Sequence, residues 1–145
     1  MSTKSWIMRE VAPELFCGVY CHWSGDLTGV GAMLLRHYDT TSKVTKLLSG
    51  GDLSSISTTP AASEYFARDR GENAERVAPR WGTLHQMRNH CPVNVEYFYI
   101  WNGIEWYVEN EAIRTIPLAI ALSREPKVRD CTRPGRRPPP SLTGS

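Results

Sequence analysis

The apolar and polar positions of this chain change period several times, and each change marks an element. Leu15, Cys17, Val19, Cys21 and Trp23 alternate with Phe16, Gly18, Tyr20 and His22. Both sets are mostly apolar or aromatic, which predicts a strand over 15–23 covered on both faces. Gly25 and Gly29 break the alternation. Val30, Met33, Leu34, His37 and Tyr38 then recur at helical spacing and predict a first helix. Before this stretch, residues 4–11 read as a strand, and Ala12-Pro13-Glu14 is a turn short enough to join the two strands as a hairpin.

Further along, Val44, Leu47 and Leu48 form the stripe of a second short helix. N-cap candidates at 39–42 precede it, and Gly50-Gly51 ends it. Residues 52–60 are small and polar, a loop anchored by Leu53 and Ile56, and 61–67 read as helical. Thr83 with Gln86 three residues on forms a capping box; Leu84, Met87 and Cys91 share one face of the helix it opens, and Pro92 stops it. The strongest local signal is two aromatic, β-rich runs, 95–101 and 104–109, flanking Asn102-Gly103, which predicts a second hairpin with its first strand central. Pro117 with Leu118, Ile120, Ala121 and Leu122 behind it reads as one more short helix or an irregular packed segment.

The expected architecture is α+β: a two-layer domain over residues 1–123, its sheet mainly antiparallel and built of two hairpins, with about three helices packed on it. Residues 124–145 are rich in Pro and Arg and nearly free of large apolar side chains. They predict a disordered C-terminal tail, because they cannot offset the entropy of ordering.

Charge follows the same division. The 145 residues carry a net charge of +2. From Arg124 onward there are six basic and two acidic residues, so the first 123 are net −2. That balance argues against a nucleic-acid-binding domain, leaving only weak phosphate contact through Arg133, Arg136 and Arg137 of the tail. Tyr97, Tyr99, Trp101, Trp106 and Tyr107 could stack bases, but they read as core and the ribonucleoprotein signature is absent. No apolar run is long enough to cross a bilayer and no signal-peptide pattern opens the chain, so no membrane partner and a cytosolic, reducing location are expected. The four cysteines are then expected as thiols. Cys17 and Cys21 would stand about 13 Å apart on one strand, too far to share a zinc ion, and no Cys-x-x-Cys pair exists. Neither metal nor cofactor is expected.

The candidate chemistry gathers where the covered strand hands over to the first helix. Gly29 and Gly31 leave backbone N–H groups open at the helix entry, where anions are attracted. His22, Trp23, Gly25 and Asp26 would border that mouth, and Arg68 and Arg70 of the charged run 68–72 suit forked contact with a phosphate or carboxylate. No Gly-Lys-Ser/Thr follows, so this is not a Walker loop, and the third glycine of a dinucleotide fingerprint is missing. Adjacent strand residues face opposite ways, so Cys21 and His22 cannot pair as nucleophile and base. His22 with Asp26, or His22 with Glu72, could serve as a general base.

The blocks Val19-Tyr20-Cys21-His22-Trp23-Ser24-Gly25-Asp26, Gly29-Val30-Gly31, Leu34-Leu35, His37-Tyr38 and Gly51-Asp52-Leu53-Ser54-Ser55 resemble a family of small phage- and prophage-encoded proteins. The family pattern is Tyr-x-His-Trp-Asp-Gly, then Gly-Val-Gly, a Leu-Leu-x-x-Tyr helix and Gly-Asp-Leu-Ser-Ser. The likeness spans residues 15–109, with Ser24 standing where the pattern has Asp. The resemblance implies viral origin. It points to an accessory binding protein of the host cytoplasm that antagonises or modulates a host factor, with anti-defence as one form of that role. The expected partner is a host protein or a small phosphorylated ligand, and a homo-oligomer is an open possibility. The alternative is a small hydrolase or nucleotide-processing enzyme using His22 and Asp26.

Overall fold

Two hairpins meet along a parallel seam. The computed structural model describes residues 3–89, 94–110 and 115–124. Strand β1 (Ser5–Ala12) pairs antiparallel with β2 (Leu15–Cys21), from Ser5 opposite Cys21 onward. After β2 come a π-helical turn (Leu27–Gly31), α1 (Ala32–His37), α2 (Thr41–Ser49), β3 (Leu53–Ser55), β4 (Glu64–Tyr65) and α3 (Phe66–Arg70). The remaining elements are β5 (Arg80–Gly82), α4 (Leu84–Asn89), β6 (Tyr97–Trp101), β7 (Trp106–Glu109), β8 (Ile116–Pro117) and α5 (Leu118–Ser123). Strands β6 and β7 form the second hairpin, and β6 lies parallel to β1, from Ser5 opposite Tyr97 to Arg9 opposite Trp101.

The fold is α+β. One eight-stranded, mainly antiparallel sheet runs β4-β3-β2-β1-β6-β7-β8, and β5 pairs β2 off that path. Both predicted hairpins are present, and β6 is internal. The expected four strands become eight because 52–60 contributes β3, the stretch 61–67 divides into β4 and the start of α3, Arg80–Gly82 forms β5 and Ile116–Pro117 forms β8. Two- and three-residue strands have no periodicity to read; pairing with distant partners creates them. The covered strand ends at Cys21 rather than Trp23, although the His22 and Trp23 amides still donate to the carbonyls of Leu53 and Ser54, both at 3.0 Å. The second hairpin closes with a four-residue loop, 102–105. The Asn102 side chain accepts the N–H groups of Ile104 and Glu105, building the turn on itself.

Both faces of the sheet are covered, unlike a two-layer arrangement. On one face Ile7, Val19, Cys21, Tyr99, Trp101, Trp106 and Val108 pack with Leu34, Val44, Leu47, Leu48 and Leu118 of the helices. The Trp101 and Trp106 rings sit 5.4 Å apart across the hairpin, and their indole N–H groups donate to Thr41 Oγ1 and the Tyr38 carbonyl. Such a cross-strand aromatic pair contributes roughly 0.2–1 kcal/mol. On the other face Trp6, Met8, Phe16, Tyr20 and Ile100 pack with Met87, Leu84 and Phe66. The predicted capping box holds α4 in place there: the Thr83 N–H donates to Gln86 Oε1 and the Gln86 N–H to Thr83 Oγ1. Pro117 precedes α5 as its N-cap. Among the described residues no helix is long and apolar enough to cross a membrane. The predicted tail from residue 125, together with His90, Cys91 and Pro92, lies outside the described residues.

Candidate functional site

The C-terminal end of β2 gathers a polar and aromatic cluster on the second face. Tyr20 and His22, two residues apart on the strand, point the same way, and the Tyr20 hydroxyl lies 2.7 Å from His22 Nδ1. Burial, with Cys21 and Asp52 nearby, pushes the Tyr20 phenol up to about 12, so it keeps its proton at neutral pH. The His22 ring meets Trp23 edge-on at 4.8 Å and Phe66 at 6.5 Å. The Arg70 guanidinium lies over the Phe66 ring, 5.6 Å from its centre. Trp23 is 48% exposed. Immediately after it Ser24 has φ +55, a left-handed conformation unusual for a residue with a Cβ and best tolerated by short polar side chains. That twist falls just beyond Trp23, between the end of β2 and the π-helical turn.

Next to Tyr20, buried Asp52 forms an ion pair with the partly exposed Arg80. Strand β5 pairs with residues 16–18 of β2 and β3 pairs with Cys21, so the β2 edge is left open between them. Asp52 closes the opening. Its Oδ1 accepts the Tyr20 N–H at 2.9 Å and the Arg80 guanidinium at 2.8 Å. Arg80 also lies 5.5 Å from the Trp6 ring and donates to the carbonyls of Ala78 and Arg76. Gly51, φ +86, makes this placement possible, because a Cβ there would run into the Val77 carbonyl. Burial raises the Asp52 carboxyl above its usual value and outweighs the Tyr20 N–H and Arg80, which favour its charged form.

The residues expected to form an anion pocket are dispersed among other partners. The N–H groups of Gly29 and Gly31 donate to the Asp26 carbonyl, and that of Val30 to the Ser24 carbonyl. The glycines of the turn therefore close a π-helical turn instead of facing a ligand. Gly25 is buried, its N–H on the Thr3 carbonyl and its own carbonyl accepting the Tyr99 hydroxyl at 2.7 Å. Asp26 receives the Thr28 hydroxyl, and His22 is held by Tyr20, so each has its own partner. Arg68 is spent on the fold: it pairs with Asp69 at 2.8 Å and donates to the carbonyls of Pro60, Ala61 and Ser63. Of the expected set, the structure brings together His22, Trp23 and Arg70.

Phe66, Tyr20, Asp52 and Arg80 were not among the expected site residues. Tyr20 was within reach of the strand alternation, which puts it beside His22; the other three join through contacts across the sheet. Cys17 and Cys21 are buried thiols, and burial pushes Cys21 up to about 12, far from a thiolate at neutral pH. Among the described residues no group of three or more His, Cys, Asp or Glu side chains could hold a metal ion.

Compared with known proteins, the chain matches no family model, no curated protein and no solved structure.

Proposed function

We propose that this chain is a phage-encoded accessory protein that acts in the host cytoplasm by binding a host protein, antagonising or modulating it, with Trp23 at the centre of the contact. The observation that carries this reading is the half-exposed Trp23 ring standing on His22, itself fixed by Tyr20 and flanked by Phe66 and Arg70. Trp, Tyr and Arg around a rigid centre are the side chains that carry protein–protein contacts. The resemblance to phage proteins includes Tyr20, His22 and Trp23 of this cluster.

A protein partner is favoured over a small phosphorylated ligand because the Gly29, Val30 and Gly31 amides and the Arg68 guanidinium already have partners inside the chain. A hydrolase using His22 and Asp26 would need the two to pair, and each is hydrogen-bonded elsewhere. The test is turnover: purified protein is incubated with a panel of nucleotides and phosphate esters. The binding reading predicts that nothing is consumed. Conversion of any of them, abolished by His22→Ala, overturns it.

A further inference from the structure

The sheet overhangs its helical layer at the end of β2 opposite Trp23. Exposure along the strand records this: Val19 is fully buried, Cys17 is 4% exposed and Leu15 is 37% exposed. Three of the six large hydrophobic side chains exposed among the described residues gather there: Val11 and Leu15, each at 37%, and Trp81 at 57%. The ladder explains why. Arg9, Cys17 and Trp81 form one row across β1, β2 and β5 and share a face. Leu15 lies on that face one step nearer the hairpin tip, and Val11 sits in the bulge of β1 opposite it. Arg9 flanks the apolar group from the row side and Glu14 from the tip, where it adopts φ +59. Neither has an ion-pair partner among the described residues.

We infer that this hairpin end is where two copies of the chain associate. The charge arrangement selects that occupant. An apolar group with a cation at one end and an anion at the other is complementary to itself under a twofold rotation, which sets Arg9 of each copy against Glu14 of the partner subunit while Leu15 and Trp81 pack between. The surface lies at the opposite end of β2 from Trp23, so a dimer leaves both Trp23 surfaces open.

Light scattering on the full chain after size exclusion tests the inference. The wild type is expected at twice its 16.4 kDa mass. Trp81→Ser and Arg9→Glu are each expected to run as monomers with melting temperatures near wild type at low concentration, and Arg9→Glu combined with Glu14→Arg is expected to restore the dimer. A wild type that stays monomeric at every concentration overturns the inference. So does a dimer that survives Trp81→Ser, or a charge-swapped double variant that stays monomeric while folded.

Discussion

The Asp52 carboxylate accepts the Tyr20 backbone N–H at 2.9 Å, filling the gap that β5 and β3 leave between them on the β2 edge. The same oxygen holds Arg80, so a single side chain serves as both a rung of the sheet and an ion-pair partner. Asp52→Ala orphans a buried N–H and leaves Arg80 without its counter-charge, and is expected to cost on the order of 3 kcal/mol in chemical denaturation. Asp52→Asn keeps an acceptor for Tyr20 and is expected to cost clearly less. Equal losses would mean that Asp52 acts through charge alone.

The pH dependence of that carboxyl has a definite sign. Its folded-state value is raised above the ordinary 3.8, chiefly by burial. The stability it adds is then fully present below its unfolded value and is lost as pH rises through the folded value. Wild type should therefore gain stability relative to Asp52→Asn as pH is lowered through the acid range above 3.8. A difference that shrinks on acidification would show that the ion pair with Arg80 dominates instead.

Glu109 should behave oppositely. Burial would raise its carboxyl, but Arg88, with two contacts of 2.7 Å, and the Thr115 hydroxyl bring it below the usual range. The stabilisation it supplies is present above its ordinary value of 4.5 and fades as pH falls through the lowered one. Because Arg88 is partly exposed, Arg88→Ala should cost no more than about 1 kcal/mol at neutral pH, measured by urea unfolding, and that cost should vanish in strong acid.

Gly18 lies under the Trp6 indole, and a Cβ at that position would overlap Nε1 and approach Cε2 to 3.0 Å. Trp6 is fully buried and anchors the second face, so it has no free space to move into. Gly18→Ala should destabilise by roughly 1–3 kcal/mol, the range for overpacked cores. A melting temperature unchanged from wild type would mean that the Trp6 face repacks freely.

How much of this could be read from the chain depended on range. The doubly covered β2, the Thr83–Gln86 capping box and the Asn102-Gly103 hairpin are specified by neighbours a few residues apart, and all three are present. Strands β3, β4, β5 and β8 are too short for a pattern and exist only through partners elsewhere in the sheet. The site divided in the same way. His22 and Trp23 stood out as unusual side chains on a strand. The loss of the Gly29 and Gly31 amides to the Asp26 carbonyl follows from a π-helical turn that no spacing announces. Asp52 reaches Tyr20 and Arg80 across 32 and 28 residues, beyond any local signal.

The central claim is that Trp23 is a contact residue and not a structural one, and affinity capture of the tagged chain from infected-host lysate, read by native mass spectrometry, tests it most directly. Wild type is expected to retain a host protein at fixed stoichiometry. Trp23→Ala should lose that protein while its own stability changes by less than about 1 kcal/mol, as for an exposed site. The same host protein held equally by wild type and a folded Trp23→Ala variant would contradict the account.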